Sequence, residues 1–554
     1  MLSNLRSSSN RSAATIPRPF SPGVIVIAVK TIIHRVFSKT RRKSNRQVAI
    51  PLGQESECAP PLYAEAGRVD RKVSIEILPD EVLLEIFNHD RLLALNHPFS
   101  GPWKWQRLVH VCRSWRFLIF ASPRRLELRL YYTYQKPVTR NLGCWPPFPI
   151  AISYPRFASS RPLVPKDEDN VVAALMHRDR ICEINFAMTS HLLERSTILM
   201  QEQFPALEHL LLRSRDSARR SLVLPSAFLG GSAPRLRNIH LDGIAFPTLP
   251  QLLLSTRDLC SLQLEEIPRT EFFSPETLVS SMSALSHLKS FKIHFASPTS
   301  QQDPTNARSP LISTNHIALP ALAEFRFRGA SEYLEDLVAR LDTPCLQQLS
   351  IAFFDQPVFE IPQLSLFIGR TEGLTSPRKT SIQLWVRDIA ITQQFRASPY
   401  RLEIRLEISC RELGRRVASL AHICRQLFPF LPSVERLDVK AFLLFSARRQ
   451  RDQIDPAQWL ELFRPFEGVK ALEVTGTLVG NIASALEHAT GEMTRDVFPA
   501  LCDLRLNKSR ESLSASIESF VAARQLSGRP ISARYRGDRS FEYWGEDDRG
   551  SMDA

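Results

Sequence analysis

LEHLLL at residues 207–212 is the first clear copy of a pattern, apolar-x-x-apolar-x-apolar, that decides how most of the chain is read. It returns as LRNIHL (236–241), LCSLQL (259–264), LKSFKI (288–293), LAEFRF (322–327) and LQQLSI (346–351). Later copies are VERLDV (434–439), VKALEV (469–474) and LCDLRL (501–506), and ICEINF (181–186) is an earlier, weaker one; most follow a proline closely. Successive starts differ by 26, 29, 23, 29, 34 and 24 residues as far as position 346, then by 88, 35 and 32. The last two apolar residues of each copy alternate with polar ones, the mark of a half-buried strand. Between copies lie stretches with apolar residues at helical spacing, such as SEYLEDLVARL (331–341) and VASLAHICRQLF (417–428). One strand and one helix cannot bury an apolar face alone, so the units must stack.

A period of about 20–29 residues is that of leucine-rich repeats, which the first half fits and the later copies stretch. The 88-residue gap is expected to hide one or two degenerate units, with SIQLWV (381–386) and RLEIRLEI (401–408) as their strands. The competing reading is an ordinary α/β domain whose strands happen to begin with Leu, and about ten matches weigh against it. A polar, proline-punctuated spacer, SPTSQQDPTNARSPLISTNH (297–316), reads as a rim loop or insert.

Composition narrows the function. With 44 % hydrophobic and 23 % charged residues the 554-residue chain is of folded type, and 39 prolines against 20 glycines point to short, often redirected elements. The net charge of +14 is uneven: residues 1–72 hold 13 Lys/Arg against four Asp/Glu, or +9, leaving +5 for the rest. The body is therefore near balance and nucleic acid is not an expected partner, although a basic arm could bind one. That arm contains GVIVIAVKTII (23–33), too short and too polar at Lys30 for a membrane span, and KTRRKSNR (39–46). It reads as a solvated tail, an import signal or a presequence. Nine scattered cysteines, never spaced C-x-x-C, fit reduced thiols in the cytoplasm or nucleus. None of the usual nucleophile-elbow, zinc-protease, phosphate-loop or dinucleotide signatures is present, and the 13 histidines form no metal-ligand spacing. No enzyme activity, metal or cofactor is expected.

Two other stretches stand near the start. In LPDEVLLEIF (78–87), Pro79 suits a first helical turn, Asp80 and Glu81 complement the helix dipole, and Val82, Leu83, Ile86 and Phe87 form a stripe. WKWQRLVHVCRSWRFLIF (103–120) continues with Trp105, Leu108, Val109, Val111, Cys112, Trp115, Leu118, Ile119 and Phe120, and with Arg107, Arg113 and Arg116 on a polar side. So small a helical module needs a neighbour to cover its apolar face.

At these residues the sequence resembles the F-box family, in its fungal form: LPDEVLLEIF matches the opening half-motif and LVHVCRSWR (108–116) the closing one. The stretch between, NHDRLLALNHPFSGP (88–102), is longer than the family pattern. The resemblance covers residues 73–121 and implies the substrate receptor of a Skp–cullin–F-box ubiquitin ligase, docking a Skp-type adaptor and, through it, a cullin. Carried over by position, the adaptor-facing residues are Leu78, Pro79, Glu81, Leu83, Ile86, Phe87, Leu108, Val111, Cys112 and Trp115. The expected class is α+β, a small helical F-box module followed by an irregular leucine-rich-repeat α/β solenoid. Its parts are the arm (1–72), the module (73–121), a joining segment (122–178), the repeats (179–510), and a C-terminal helix with an acidic tail (511–554). Outward residues between the buried strand positions would meet the target protein: His209, Arg213, His240, Lys292, His294, Arg326 and Arg328, whose basic lean suits an acidic or phosphorylated segment. The alternative is a leucine-rich binding scaffold with no ligase role, its helices merely capping the stack.

Overall fold

A computed structural model describes residues 78–95, 105–132, 142–143, 145–154, 165–216, 222–268, 273–296, 316–356, 359–371, 377–395, 402–428, 431–442, 454–476, 478–489, 497–507 and 514–535. The basic arm, the spacer at 297–315 and the acidic tail lie outside them. The chain divides into two compact units, 1–128 and 129–554. Among the described residues no helix is long and apolar enough to cross a membrane.

The first unit is helical: α1 (Asp80–Leu95), α2 (Trp105–Leu108) and α3 (Arg113–Ala121). Pro79 stands just before α1, its carbonyl accepting from the amides of Val82 and Leu83, while Asp80 and Glu81 occupy the first turn. The helix runs on to Leu95, so half of the stretch expected as an insert is helix. Cys112 caps α3, its Sγ accepting from the Trp115 amide at 3.4 Å.

The second unit is mixed α/β. Its elements are β1 (Leu130–Tyr132), β2 (Ile150–Tyr154), α4 (Pro165–Leu175), β3 (Ile181–Met188), α5 (Ser190–Ile198), β4 (His209–Ser214), β5 (Leu222–Val223), β6 (Asn238–Asp242) and β7 (Ile244–Ala245). Next come α6 (Leu249–Ser255), β8 (Ser261–Ile267), α7 (Pro275–Met282), β9 (Ser290–Phe295), β10 (Ile317–Ala318), β11 (Glu324–Gly329), α8 (Ser331–Val338), β12 (Leu341–Asp342) and β13 (Gln348–Phe353). Then follow α9 (Pro362–Arg370), β14 (Pro377–Leu384), β15 (Asp388–Phe395), β16 (Leu402–Ser409), α10 (Leu413–Leu427), β17 (Arg436–Ala441) and α11 (Pro456–Phe463). The chain closes with β18 (Ala471–Gly476), α12 (Val479–His488), β19 (Asp503–Asn507), α13 (Ser514–Leu526) and β20 (Ser532–Tyr535). Sixteen strands form one sheet in the order β1-β2-β3-β4-β6-β8-β9-β11-β13-β16-β15-β14-β17-β18-β19-β20, and β5–β7 and β10–β12 are separate two-stranded pairs. Pairing in the large sheet is parallel except at β16–β15 and β15–β14.

The repeated hexapeptide explains this order. Its first apolar residue ends a tight turn, often carrying proline at the second position: F-P-A-L (204–207), L-P-A-L (319–322), T-P-C-L (343–346) and F-P-A-L (498–501). In these turns the leucine amide donates to the carbonyl three residues back at 3.1–3.2 Å. The next residue's carbonyl is the stacking contact. Those of Glu208, Arg237, Cys260, Lys289, Ala323, Glu435 and Lys470 each accept two amides from the following unit at 2.7–3.1 Å. The strand starts one residue later, and its apolar residues point inward: Leu207, Leu210 and Leu212, like Leu236, Ile239 and Leu241, are at most 2 % exposed. That inward face meets the helices, as where Phe325 of β11 approaches Phe367 of α9 at 6.5 Å between centroids. Gly468 belongs to the same stacking, since a Cβ there would lie 2.1 Å from the Pro432 carbonyl oxygen of the preceding turn.

Side chains tie the helices of successive units. Asp216, after β4, accepts from the Ser190 amide at the start of α5 (2.6 Å), and Gln356, after β13, accepts from that of Ser331 at the start of α8 (3.2 Å). Glu335 of α8 accepts from the Gln363 and Leu364 amides of α9 at 2.7 and 2.8 Å. Each supplies an acceptor to amides that a helix start leaves unpaired.

The 88-residue gap holds three strands, of which β14 and β16 overlap the two expected stretches. The third, β15, is buried at Ile389, Ala390, Ile391, Thr392 and Gln393 in succession, so it shows none of the alternation by which the other strands are legible. It runs antiparallel between its neighbours, so three strands enter the sheet in reverse sequence order. Gln393, fully buried, has no partner for either amide atom among the described residues.

At the far end, Arg524 of α13 is 1 % exposed and its Nη2 donates to the carbonyls of Phe498, Pro499 and Leu501 at 3.1–3.3 Å. Replacing it with Met keeps the packing and orphans those carbonyls, at a cost on the order of 3 kcal/mol. Because stacked units are coupled mainly to neighbours, Arg524→Met is expected to accelerate amide exchange in β19 and β20 and to leave β4 and β6 unchanged. Uniform acceleration along the sheet would contradict this.

Candidate functional site

In the helical unit, Leu83, Leu84 and Phe87 of α1 turn inward and meet Trp105, Leu108, Val109, Trp115, Leu118 and Ile119, all less than 9 % exposed. Phe87 and Trp115 pack ring to ring at 4.7 Å. The buried stripe is thus rotated by one position from the one read in the sequence. Of the adaptor-facing set, Leu83, Phe87, Leu108 and Trp115 are core. Leu78, Ile86, Val111 and Cys112 are half-buried, and Pro79 and Glu81 are exposed. Three apolar side chains outside that set are exposed here: Val82 at 42 %, Leu92 at 44 % and Phe117 at 78 %. Phe117 was legible as the residue out of step with the Trp115, Leu118 and Ile119 stripe.

In the sheet, the positions two, four and six residues after the start of each hexapeptide point away from the helices. His209, Arg213, His240, Lys292, His294, Arg326 and Arg328 all stand there, half-buried. Register aligns them in rows: His240, Gln263, Lys292 and Arg326 are successive partners across β6, β8, β9 and β11. The sequence reading missed the acids among them. Arg213 Nε lies 2.6 Å from Asp242 Oδ2, Lys292 Nζ 3.0 Å from Glu265 Oε1, and Arg326 Nη2 2.5 Å from Glu324 Oε1. His240 Nε2 is 3.1 Å from Glu265 Oε1. The basic lean of the face is therefore largely neutralised within the face itself. Arg328 differs: its guanidinium lies over the Phe354 ring at 5.6 Å.

A bulge sharpens this cluster. The β8–β9 register shifts between Leu264 and Ile267, so Glu265 and Glu266 share the space opposite one strand position. Glu266 takes φ 48°, a strained conformation for a non-glycine residue. Burial works to raise the Glu265 carboxyl, but hydrogen bonds and charge from His240 and Lys292 outweigh it and hold the group at about 2. Burial, reinforced by Lys292, lowers His294 to about 3, so its imidazole is neutral at physiological pH.

His240, Asp242 and Glu265 bring ligand atoms within 4.8 Å of one another, close enough to hold a metal ion. Arg213 and Lys292 already sit against the two carboxylates, and a divalent cation would have to displace both. The trio is an ion-pair network in chemical character. His240 and Asp242 stand two residues apart on β6 and Glu265 on the neighbouring β8, so the trio meets only once strand register is set.

A second cluster lies further along the sheet. Trp385, just after β14, stacks on Phe442, just after β17, at 6.0 Å and 20° between planes. The Arg405 guanidinium lies over the Trp385 ring at 5.0 Å while donating to Glu407 at 2.9 Å.

No protein-family model and no curated protein matches the chain.

The two titrations have separate signatures. His294 is neutral when folded and protonates below about 6.5 when unfolded. Falling pH from 6.5 towards 3 therefore favours the unfolded state, by at most about 1.4 kcal/mol per pH unit. Glu265, depressed from about 4.5 to about 2, contributes stability that is present above 4.5 and is lost as pH falls through 2. His294→Gln is expected to flatten the fall in Tm between pH 6.5 and 4.5 and to leave the steeper fall below 4.5. A variant profile parallel to that of the parent would refute the assignment.

Proposed function

We propose that the chain is the substrate-recognition subunit of a Skp–cullin–F-box type ubiquitin ligase. The helical unit docks a Skp-type adaptor, and the outward face of a leucine-rich-repeat stack holds a target protein. The observation that carries the reading is the division of apolar residues in the helical unit. A core closes around Phe87 and Trp115, yet Phe117 and Val82 stay open to solvent with Leu78, Ile86 and Val111 half-covered. The matched half-motifs at 78–87 and 108–116 support it, as does a period set by one strand per unit. Catalysis is then supplied by the partners, and the chain acts by raising the local concentration of target lysines.

Burial of Leu83, Phe87, Leu108 and Trp115 favours a second reading, a binding scaffold whose helices serve only their own packing. Capture separates the two. Purified chain should retain a Skp-type adaptor. Val82→Asp combined with Phe117→Asp should weaken retention at least tenfold, the loss of about 1.4 kcal/mol or more expected for an interface anchor. The double variant should keep its Tm, because neither side chain is core. Unchanged capture by the double variant, or no capture by the parent, would sink the ligase reading.

A further inference from the structure

The Trp385–Phe442 stack has no role in the fold that its burial would explain. Phe442 is 49 % exposed and the neighbouring Val386 is 54 % exposed, in a sheet whose inward aromatics are almost wholly covered. Both rings stand on the outward face. Gln383 pairs with Lys440 in the β14–β17 register, and Trp385 and Phe442 follow each of them by two residues. The arrangement is pre-ordered: Arg405 covers one side of Trp385 and is itself held by Glu407.

Lys440 and Arg387 have no carboxylate partner among the described residues, unlike Arg213, Lys292, Arg326 and Arg405. A pre-ordered Trp–Phe pair, its Trp half-buried under one arginine and its Phe exposed, has the composition of a protein-interface anchor. A nucleic acid fits less well, since Glu407 and Asp388 interrupt any cationic track that phosphates would follow.

We infer that Trp385 and Phe442, with Lys440 and Arg387, form the anchor site of the outward face. The site takes a peptide segment that lays an aromatic or large apolar side chain on the stacked rings and sets an acidic residue beside the two free cations. The inference rests on the protein-binding reading of the outward face and narrows it to one place and one class of segment.

Fluorescence anisotropy with the full chain tests it, using three labelled hexapeptides and an oligothymidylate. The first probe is Glu-Asp-Phe-Leu-Asp-Glu, the second replaces Phe-Leu by Ser-Ser, and the third replaces every acid by Lys. The first should bind at least tenfold more tightly than either other peptide. Phe442→Ser should weaken it at least tenfold, and Lys440→Glu at least threefold, with Tm unchanged in both. Equal binding of the three peptides, an unaffected Phe442→Ser variant, or oligothymidylate displacing the first peptide would overturn the proposal. Adaptor capture is read separately: its loss with peptide binding intact removes the ligase reading and leaves this site standing, and the reverse removes only this site.

Discussion

One backbone carbonyl per unit, at the residue between the turn and the strand, holds the sheet in register. From Glu208 to Ala323 each such oxygen accepts two amides of the next unit, and Glu435 and Lys470 repeat the pattern after the reversal. The three inward side chains of a unit do not by themselves offset the entropy of ordering its residues. A unit is thus unstable alone and gains its backbone partners and its apolar cover from its neighbours at once. Turn, strand start, helix caps and outward rows all follow from that contact.

This is why so much of the sheet was legible. The hexapeptide names the turn residue, the two inward residues and, by subtraction, the outward ones, and each strand from β4 to β13 in the large sheet begins two residues after its copy does. What stayed hidden breaks the period or needs two units at once. β15 has no polar alternation because both its faces are covered. Arg213 and Asp242, or His240 and Glu265, are remote in sequence and adjacent only once register is set. In the helical unit the stripe was misplaced by one residue: Leu84 is buried where Val82 was expected.

The outward face emerges with two chemistries. Between β4 and β11 most cations are paired with carboxylates of the same face, with a strained bulge placing Glu266 beside Glu265. Such pairing adds little net affinity for an incoming charge, because a ligand must break a pair to make one. Around β14 and β17 the aromatic surface is exposed and the nearby cations are unspent, so contact there costs less rearrangement. The basic residues between β4 and β11 are therefore not the most receptive part of the outward face.

The reversed strands also set a timetable for synthesis. A stack of nearest neighbours can grow unit by unit as the chain leaves the ribosome, each new strand closing the edge left by the last. That works as far as β13, which ends at Phe353, but its partner on the open side is β16, which begins at Leu402, 49 residues later. β14 and β15 are made in between and have no place until β16 exists. At about 5–20 residues per second the edge of β13 stays uncovered for about 2–10 s, and holding factors would find their opening there.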